Sequence, residues 1–275
     1  MIGVEIRKLV TRPRTWVSVF LLCLLPVIVA VFLRLSGVGP RPGQGPTFLS
    51  AVLGNGQLYP AAALAIVLPI FLPIAVAVIA GDAVAGEAAA GTLRYLLVRP
   101  VGRTRLLVAK LISIGAFVLI SVVSVAVTAY LTGLAILSSS PLAAATTATT
   151  ITTTGTTLSS GQLAIRTVMM VLYIGWSMLG VASVSLFLST LTDSPLGAAL
   201  GGLAVLVSSS ALVALDAADS VRDYLPTRYW LAWIDLFRDP VLWHDLQRGL
   251  LVQGVYIAVL LGLAWANFAT RDITS

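Results

Sequence analysis

The sequence begins with a short basic segment and then runs for 18 residues, from Trp16 to Leu33, without a charged side chain. At about 1.5 Å of rise per residue, a helix of this length spans about 27 Å, close to the thickness of a bilayer's hydrocarbon core. Backbone groups in hydrocarbon must satisfy their hydrogen bonds internally, and a single apolar segment can do so as a helix. This run therefore predicts a membrane-spanning helix.

Five further apolar stretches of similar length follow it. The predicted spans are 16–33, 59–80, 106–134, 163–190, 195–215 and 249–268. Only 10% of the 275 residues are charged and 58% are hydrophobic, whereas soluble domains carry about 25% charged residues. The sequence therefore predicts an all-α integral membrane protein, with residues 1–275 forming one transmembrane domain.

The segment before the first span is basic and amphipathic. Its basic residues are Arg7, Lys8, Arg12 and Arg14, and Ile2, Ile6, Leu9 and Val10 share one helical face. This pattern predicts a helix lying in the membrane interface, which Pro13 ends or bends. The alternative is the basic region of a cleaved signal peptide, but the apolar run is longer than usual and no convincing cleavage site follows. We expect an uncleaved first span.

Two short sequence patterns predict local features of the helices, a kink and a cap. Pro69 and Pro73, one turn apart in the second predicted span, predict a kink, which is either an ordinary feature of membrane helices or a bend that shapes a substrate path. Asp193 or Ser194 is placed to cap the fifth span, with Pro195 at its first position.

Two long segments are predicted to lie outside. Residues 138–161 are mostly Ser, Thr and Ala and have few large apolar side chains to build a core. In residues 216–248 the apolar side chains recur at helical spacing, at Trp230, Trp233, Ile234, Phe237 and Val241. We expect an interfacial helix whose aromatic residues anchor it to the outer surface, with a substrate gate as the alternative.

The segment from Gly81 to Lys110 lies between two apolar stretches and holds 5 of the 17 basic residues. A basic connection between spans is expected on the cytoplasmic side. Six spans then place both termini in the cytoplasm, with 10 of the 17 basic residues on that side. The net charge of +6 thus reflects topology and does not require a nucleic-acid partner.

The apolar and polar residues of this central segment recur at helical spacing. Leu93, Leu96 and Leu97 form an apolar stripe, while Glu87, Gly91, Arg94 and Val98 fall on another helical face. Pro100 and Gly102 then predict a turn. The pattern favours a short amphipathic helix at the cytoplasmic surface with a charged face for a soluble partner. A solvated connector is the alternative.

Several kinds of chemistry are not expected. We expect no Asp, Glu, Lys or His in the interiors of the spans, which argues against an ion-coupled transporter or an intramembrane protease. His244 is the single histidine and Cys23 the single cysteine. Lys8 and Lys110 are the only lysines and each precedes Leu, so no phosphate-binding Gly-Lys-Ser/Thr loop is present. The chain is therefore not expected to be an enzyme or to bind ATP or a metal itself.

The central segment resembles the cytoplasmic segment of the ABC type-2 permeases, the membrane subunits of many bacterial ABC exporters. The resemblance rests on Glu87, on Gly91-Thr92-Leu93, on Arg99-Pro100-Val101, and on Arg103 and Lys110. It is looser at the opening VEIRKLVTRPRTW and at the closing FATRDITS.

This resemblance implies a permease in the bacterial cell membrane that forms a substrate pathway and is driven by a separate ATPase. Two ATPase subunits, which bind ATP and magnesium, would pair with two permease copies, identical or paralogous. The segment would be a coupling helix, with partner contacts from Glu87, Leu93, Arg94, Leu96, Leu97, Arg99 and Arg103. Export of an amphipathic or lipid-like molecule is the expected activity. A membrane scaffold or sensory subunit that holds a soluble partner through residues 81–110 is the alternative.

Overall fold

A computed structural model describes residues 1–36, 58–91, 103–137, 150–151, 157–158, 160–215 and 219–270. Six of its helices are long and apolar enough to cross a membrane, so the prediction of an all-α membrane protein is confirmed. The long helices are α2 (Pro13–Ser36), α4 (Phe71–Ala89), α5 (Arg103–Thr132), α6 (Ser160–Leu191), α7 (Pro195–Ala214) and α9 (Trp243–Thr270). The short ones are α1 (Ile2–Thr11), α3 (Tyr59–Val67) and α8 (Asp219–Arg222).

Four smaller elements complete the described part of the chain. A π-helical turn, Gly133–Leu137, extends α5, and a 3-10 helix covers Ala232–Phe237. Two-residue strands, β1 (Thr150–Ile151) and β2 (Thr157–Leu158), pair antiparallel with Thr150 opposite Leu158. They lie in the Thr-rich segment that was predicted only as an outer connection.

The predicted N-terminal amphipathic helix is present as α1, and Arg12 separates it from α2, which begins at Pro13. Ile2, Ile6 and Val10 are exposed on one side, whereas Glu5 and Leu9 are buried on the other. The exposed apolar side is suited to the membrane interface. The buried side packs on α5, so α1 is attached to the bundle as well.

The second predicted span, 59–80, is not one continuous helix. Residues 68–70 form a turn between α3 and α4, and α4 continues to Ala89, nine residues beyond the predicted end. Proline has no N–H, so Pro69 and Pro73 remove the helical donors to the carbonyls of Ala65 and Pro69. These two losses, four residues apart, break the helix instead of bending it. Residues 81–89, predicted as part of a connection, therefore belong to a membrane helix.

The core lies around α5, which packs against α1, α2, α3 and α6. Buried Phe117, Val118 and Val122 mark its inner face, and α3 is almost wholly buried, with Tyr59 and Leu64 fully covered. The hydroxyl of Tyr59 donates a hydrogen bond to the carbonyl of Pro26 in α2. This contact is a specific joint between the first span and the broken second one.

The helices α4, α6 and α7 approach one another closely through small residues. A Cβ on Gly81 would lie 2.8 Å from the backbone nitrogen of Ala199, and one on Gly202 would collide with the hydroxyl of Ser185. At this contact Ser189 of α6 donates to the carbonyl of Gly81 (2.6 Å) and accepts from the amides of Val84 (3.1 Å) and Ala85 (2.9 Å). Close backbone approach and interhelical hydrogen bonds are the usual means of helix association in lipid.

Residues 219–248, the described part of this segment, do not form the predicted interfacial helix. After α8 the chain makes turns and then the 3-10 helix, and α9 already begins at Trp243. Trp230, Trp233 and Phe237 are buried, and the rings of Trp233 and Phe237 pack edge to face with centroids 6.2 Å apart. The prediction that these aromatic residues anchor the chain to the membrane surface is therefore wrong, since they pack inside the protein against α6 and α9.

The predicted cap of the fifth span is confirmed at Ser194, whose hydroxyl accepts a hydrogen bond from the amide of Gly197 (3.1 Å). The last helix returns to the end where α5 begins. Arg103 donates to the carbonyl of Ala269 (2.8 Å), and Asn267 donates to the carbonyl of Thr190 (2.8 Å). We call this end, where α1 lies, the α1 end of the bundle.

Candidate functional site: an ion network at the α1 end

Charged side chains meet at the α1 end where α1 packs against the end of α4 and the start of α5. Glu87 lies at the centre, with its carboxylate oxygens 2.9 Å from Nζ of Lys8 and 2.7 Å from Nζ of Lys110. Glu5 completes the cluster, 3.0 Å from Lys8 and 3.8 Å from Lys110. Each lysine thus contacts both carboxylates, and the four side chains form one neutral unit.

This cluster is buried. The exposed fractions of the side chains are 2% for Lys110, 7% for Glu87 and 10% for Glu5, whereas Lys8 is 36% exposed. Lys110 also donates to the carbonyl of Ala83 (2.6 Å), and Ser113 donates to the carbonyl of Glu5 (3.3 Å). Ionised groups are buried only when they are paired and hydrogen-bonded, and here the partners come from three different elements.

The electrostatics of the cluster favour its ionised form. Burial by itself lowers the pKa of Lys8, but the hydrogen bonds to Glu87 and Glu5 and their negative charges outweigh it, so the net pKa is raised. Lys8 therefore keeps its proton across the physiological pH range. A charged Lys8 holds α1 against α4 under ordinary conditions.

A second set of ion pairs extends the cluster along α4. Asp82 lies 2.8 Å from Arg12 and 3.3 Å from Arg14, which flank the break between α1 and α2. Gly86 makes room for this carboxylate, because a Cβ there would collide with Oδ1 of Asp82. We call the seven residues Glu5, Lys8, Arg12, Arg14, Asp82, Glu87 and Lys110 the ion network. All of its residues except Arg14 line a cavity of about 50 Å³.

The ion network corrects one expectation from the sequence. No Asp, Glu, Lys or His was expected in the interiors of the spans, yet Asp82 and Glu87 belong to α4 and Lys110 to α5. All three lie within eight residues of an end of their helices. The reason is that acids and bases from neighbouring helices neutralise one another there, which lowers the cost of burial.

The predicted partner-contact residues fall in three groups. Glu87 was expected on an accessible face, but its carboxylate points into the ion network. Arg103 begins α5, and its guanidinium donates to the carbonyls of Phe268 and Ala269 at the end of α9. Leu93, Arg94, Leu96, Leu97 and Arg99 lie outside the described residues. Gly91 has a φ of +66°, a value that favours glycine and ends α4.

Sequence reasoning missed Glu5, Lys8, Asp82 and Lys110 as a unit. One signal was available, since Glu5 and Lys8 are three residues apart on one face of a helix. A second was the placement of Lys110 within an apolar helix, where an ionisable side chain requires a partner. Among the described residues, no group of three or more His, Cys, Asp or Glu could hold a metal ion.

Comparison with known proteins gives a family without an assigned activity. No curated protein matches the chain. The model of the family described as "Protein of unknown function (DUF2705)" matches residues 27–274. This match takes in every span except the first half of α2. The chain therefore belongs to this family of proteins of unknown function.

Proposed function

We propose that this chain is the membrane-spanning permease subunit of an ATP-driven exporter of the ABC type-2 class, which forms the substrate pathway and couples to a separate ATPase subunit. Two permease copies, identical or paralogous, pair with two ATPase subunits that bind ATP and magnesium. The proposal places residues 92–102 and both termini in the cytoplasm of a bacterial cell.

The observation that carries this proposal is the position of the ion network. Residues 92–102 connect α4 to α5, and the two helices hold Glu87 and Lys110 just before and just after this connection. These two side chains pair with each other at 2.7 Å and share Lys8 and Glu5 of α1. A displacement of the connection is thus passed to α1, α4 and α5 together, as mechanical coupling requires.

The sequence supports a separate source of energy. Neither Lys8 nor Lys110 belongs to a phosphate-binding loop, and both are committed to the ion network. In this proposal the contacts to the ATPase come from the connection, through Leu93, Arg94, Leu96, Leu97 and Arg99. Glu87 transmits the motion from within the chain and does not touch the ATPase.

The substrate proposed is amphipathic or lipid-like. The described spans carry Ser, Thr and aromatic side chains between their ends, and their charged side chains lie near one end or the other. A small ion would need ionised or carbonyl ligands at depth. An amphipathic molecule needs apolar walls with a few hydrogen-bonding groups.

The first experiment is purification of the tagged chain from its native membrane in mild detergent, followed by mass spectrometry and an ATPase assay. We expect a stoichiometric ATPase with a phosphate-binding loop and vanadate-sensitive activity. Arg94→Glu or Arg99→Glu should reduce its recovery severalfold, while Arg248→Glu, the same charge reversal on α9 far from the α1 end, should not. Glu87→Gln should leave the ATPase bound but lower its stimulation by the permease.

Recovery of the chain with a partner that lacks a nucleotide site would overturn this proposal. That result would support the alternative of a scaffold or sensory subunit. Equal recovery of the ATPase with Arg94→Glu, Arg99→Glu and Arg248→Glu would instead remove the connection as the contact surface.

A further inference from the structure

The exposed side of α1 carries a basic residue beside its apolar stripe. Successive residues of an α-helix lie about 100° apart around the axis, so Glu5 and Arg7 project to opposite sides of Ile6. Glu5 is buried against the bundle, whereas Ile6 and Arg7 are exposed. When Ile6 faces the bilayer, Arg7 lies on the flank of α1 that faces away from the bundle, at the level of the lipid headgroups.

Trp16 fixes the depth of this side of the molecule in the membrane. It lies in the first turn of α2 and is 53% exposed, and its indole donates to the carbonyl of Val10 in α1 (2.7 Å). Phe20, about one turn further along α2, is exposed as well. Because tryptophan favours the boundary between headgroups and hydrocarbon, the corner between α1 and α2 lies at that boundary.

Two further arginines lie at this corner. Arg12 and Arg14 flank Pro13, and both pair with the carboxylate of Asp82, at 2.8 and 3.3 Å. Their side chains remain 49% and 69% exposed. Each uses one nitrogen, Nη1, for Asp82, although a guanidinium group has five N–H donors. Both arginines therefore keep donors on the exposed surface for a second anion.

The charges of this surface are not balanced. Arg7 has no carboxylate partner among the described residues, and Asp82 is shared by Arg12 and Arg14. Three positive charges and one negative charge leave a net charge of +2. A helix with basic residues beside an apolar stripe binds membranes that contain anionic lipids, and arginine can hold a phosphate group through two parallel hydrogen bonds.

We propose that Ile6, Arg7, Arg12, Arg14 and Trp16, here called the arginine surface, bind anionic phospholipids of the leaflet in which α1 lies. The headgroup phosphate pairs with the arginines, and the acyl chains pass beside Ile6 and Trp16 into the bilayer. The phosphate competes with Asp82 for Arg12 and Arg14. A free phosphate ester would leave the apolar half of this surface unused, so the ligand is the lipid.

This inference goes beyond the proposed function and does not depend on it. Lipid binding requires only the folded chain, without an ATPase. A failure of the lipid test leaves the proposed coupling untouched, and a failure to recover an ATPase leaves the arginine surface and its ligand unchanged.

The test is native mass spectrometry of the full chain in a neutral detergent, titrated with an equal mixture of phosphatidylglycerol and phosphatidylcholine that have the same acyl chains. We expect saturable binding that favours phosphatidylglycerol. Arg7→Gln breaks no ion pair among the described residues and should lower this preference about three- to fivefold, as expected for one arginine near an anionic surface. Arg34→Gln, the same substitution at the other end of α2, is the matched control and should have no effect.

Asp82→Asn separates lipid binding from a structural role of the arginines. It removes the competing carboxylate, so it should raise the preference for phosphatidylglycerol severalfold, whereas loosening of α1 would lower it. Asp223→Asn is its control, because Asp223 also lies near two arginines, Arg228 (3.9 Å) and Arg248 (3.3 Å), but at the opposite end of the bundle. Size-exclusion chromatography and thermal unfolding show whether each variant is folded.

Equal affinity of the wild type for the two lipids, or an equal loss in Arg7→Gln and Arg34→Gln, would overturn the inference. An equal gain in Asp82→Asn and Asp223→Asn would show that any freed arginine binds the lipid, and the arginine surface would not be a specific site. A lower preference in a folded Asp82→Asn variant would exclude the competition. Excess glycerol 3-phosphate should not displace the lipid, and displacement would show that the arginines bind free phosphate esters instead.

Discussion

Lys110 is the residue on which the ion network depends most. It is buried at the start of α5, and it contacts Glu87, Glu5 and the carbonyl of Ala83. The contacts to Glu87 (2.7 Å) and to the carbonyl of Ala83 (2.6 Å) are of hydrogen-bond length, whereas Glu5, at 3.8 Å, is held as an ion pair. Removing the charge would leave Glu87 and Glu5 buried with only the half-exposed Lys8 as a cation.

Lys110→Met should therefore destabilise the protein by about 3–5 kcal/mol, the range for removal of one partner from a buried ion pair. Unfolding in a denaturing detergent titration, followed by circular dichroism, measures this loss. Arg105→Gln is the control, because Arg105 is exposed five residues earlier on the same helix. An equal effect of the two substitutions would contradict the structural role of Lys110.

The double variant Lys110→Met/Glu87→Met separates the ion pair from the packing. It replaces both charges by apolar side chains of similar length and leaves Lys8 paired with Glu5 at 3.0 Å. We expect the double variant to be more stable than Lys110→Met alone, because no carboxylate then lacks its cation. A loss equal to the sum of the two single losses would show that the two residues act independently.

At the scale of elements, the contact between α4 and α7 depends on the absence of a side chain. Gly81 faces the backbone of Ala199, and backbone atoms cannot move aside as the end of a flexible side chain can. The hydroxyl of Ser189 then joins α6 to the same turn of α4. Three spans are thereby fixed to one another directly below the ion network.

Gly81→Ala should lower the free energy of unfolding by about 1–3 kcal/mol, the usual cost of an overpacked core. The matched control is Gly115→Ala on α5, where the nearest atom to an added Cβ is Cδ2 of Leu179 at 3.7 Å. This control should be neutral or stabilising by up to about 1 kcal/mol, because alanine favours a helix over glycine. The same denaturing titration compares the two, and similar effects would show that α4 and α7 tolerate a wider separation.

At the scale of the whole molecule, the proposed coupling requires the α1 end to face the cytoplasm. Thr270 ends α9 at the α1 end, and Ser220 lies in α8 at the opposite end, and both are exposed. Single cysteines at these positions, with Cys23→Ala as background, report the orientation. A membrane-impermeant thiol reagent should label Ser220→Cys in intact cells and Thr270→Cys only after the membrane is permeabilised.

The reverse labelling pattern would place residues 92–102 outside the cell. The basic residues would then lie on the side that membrane proteins usually leave less charged. No cytoplasmic ATPase could reach the connection, so this outcome would overturn the proposed function and not only the topology.

The sequence by itself determined the class of the fold and most of its elements. Six apolar stretches predict six membrane helices because backbone groups in lipid must be satisfied within their own segment, and this constraint acts locally. The sequence also predicts the cap at Ser194 and the amphipathic helix α1, since both depend on neighbours within a few residues. At Pro69 and Pro73 the sequence predicted where the second span departs from a straight helix but not how far, because two missing donors four residues apart broke the helix instead of bending it.

Only the tertiary structure decided which side chains meet. Helical spacing predicts Glu87 as an accessible contact and Trp233 as a membrane anchor, yet both are buried against elements distant in the chain. Helical periodicity shows that a residue lies on one face, but it does not show whether lipid, water or another helix covers that face. The ion network depends on this long-range information, because Glu5, Glu87 and Lys110 stabilise one another only once α1, α4 and α5 have packed together.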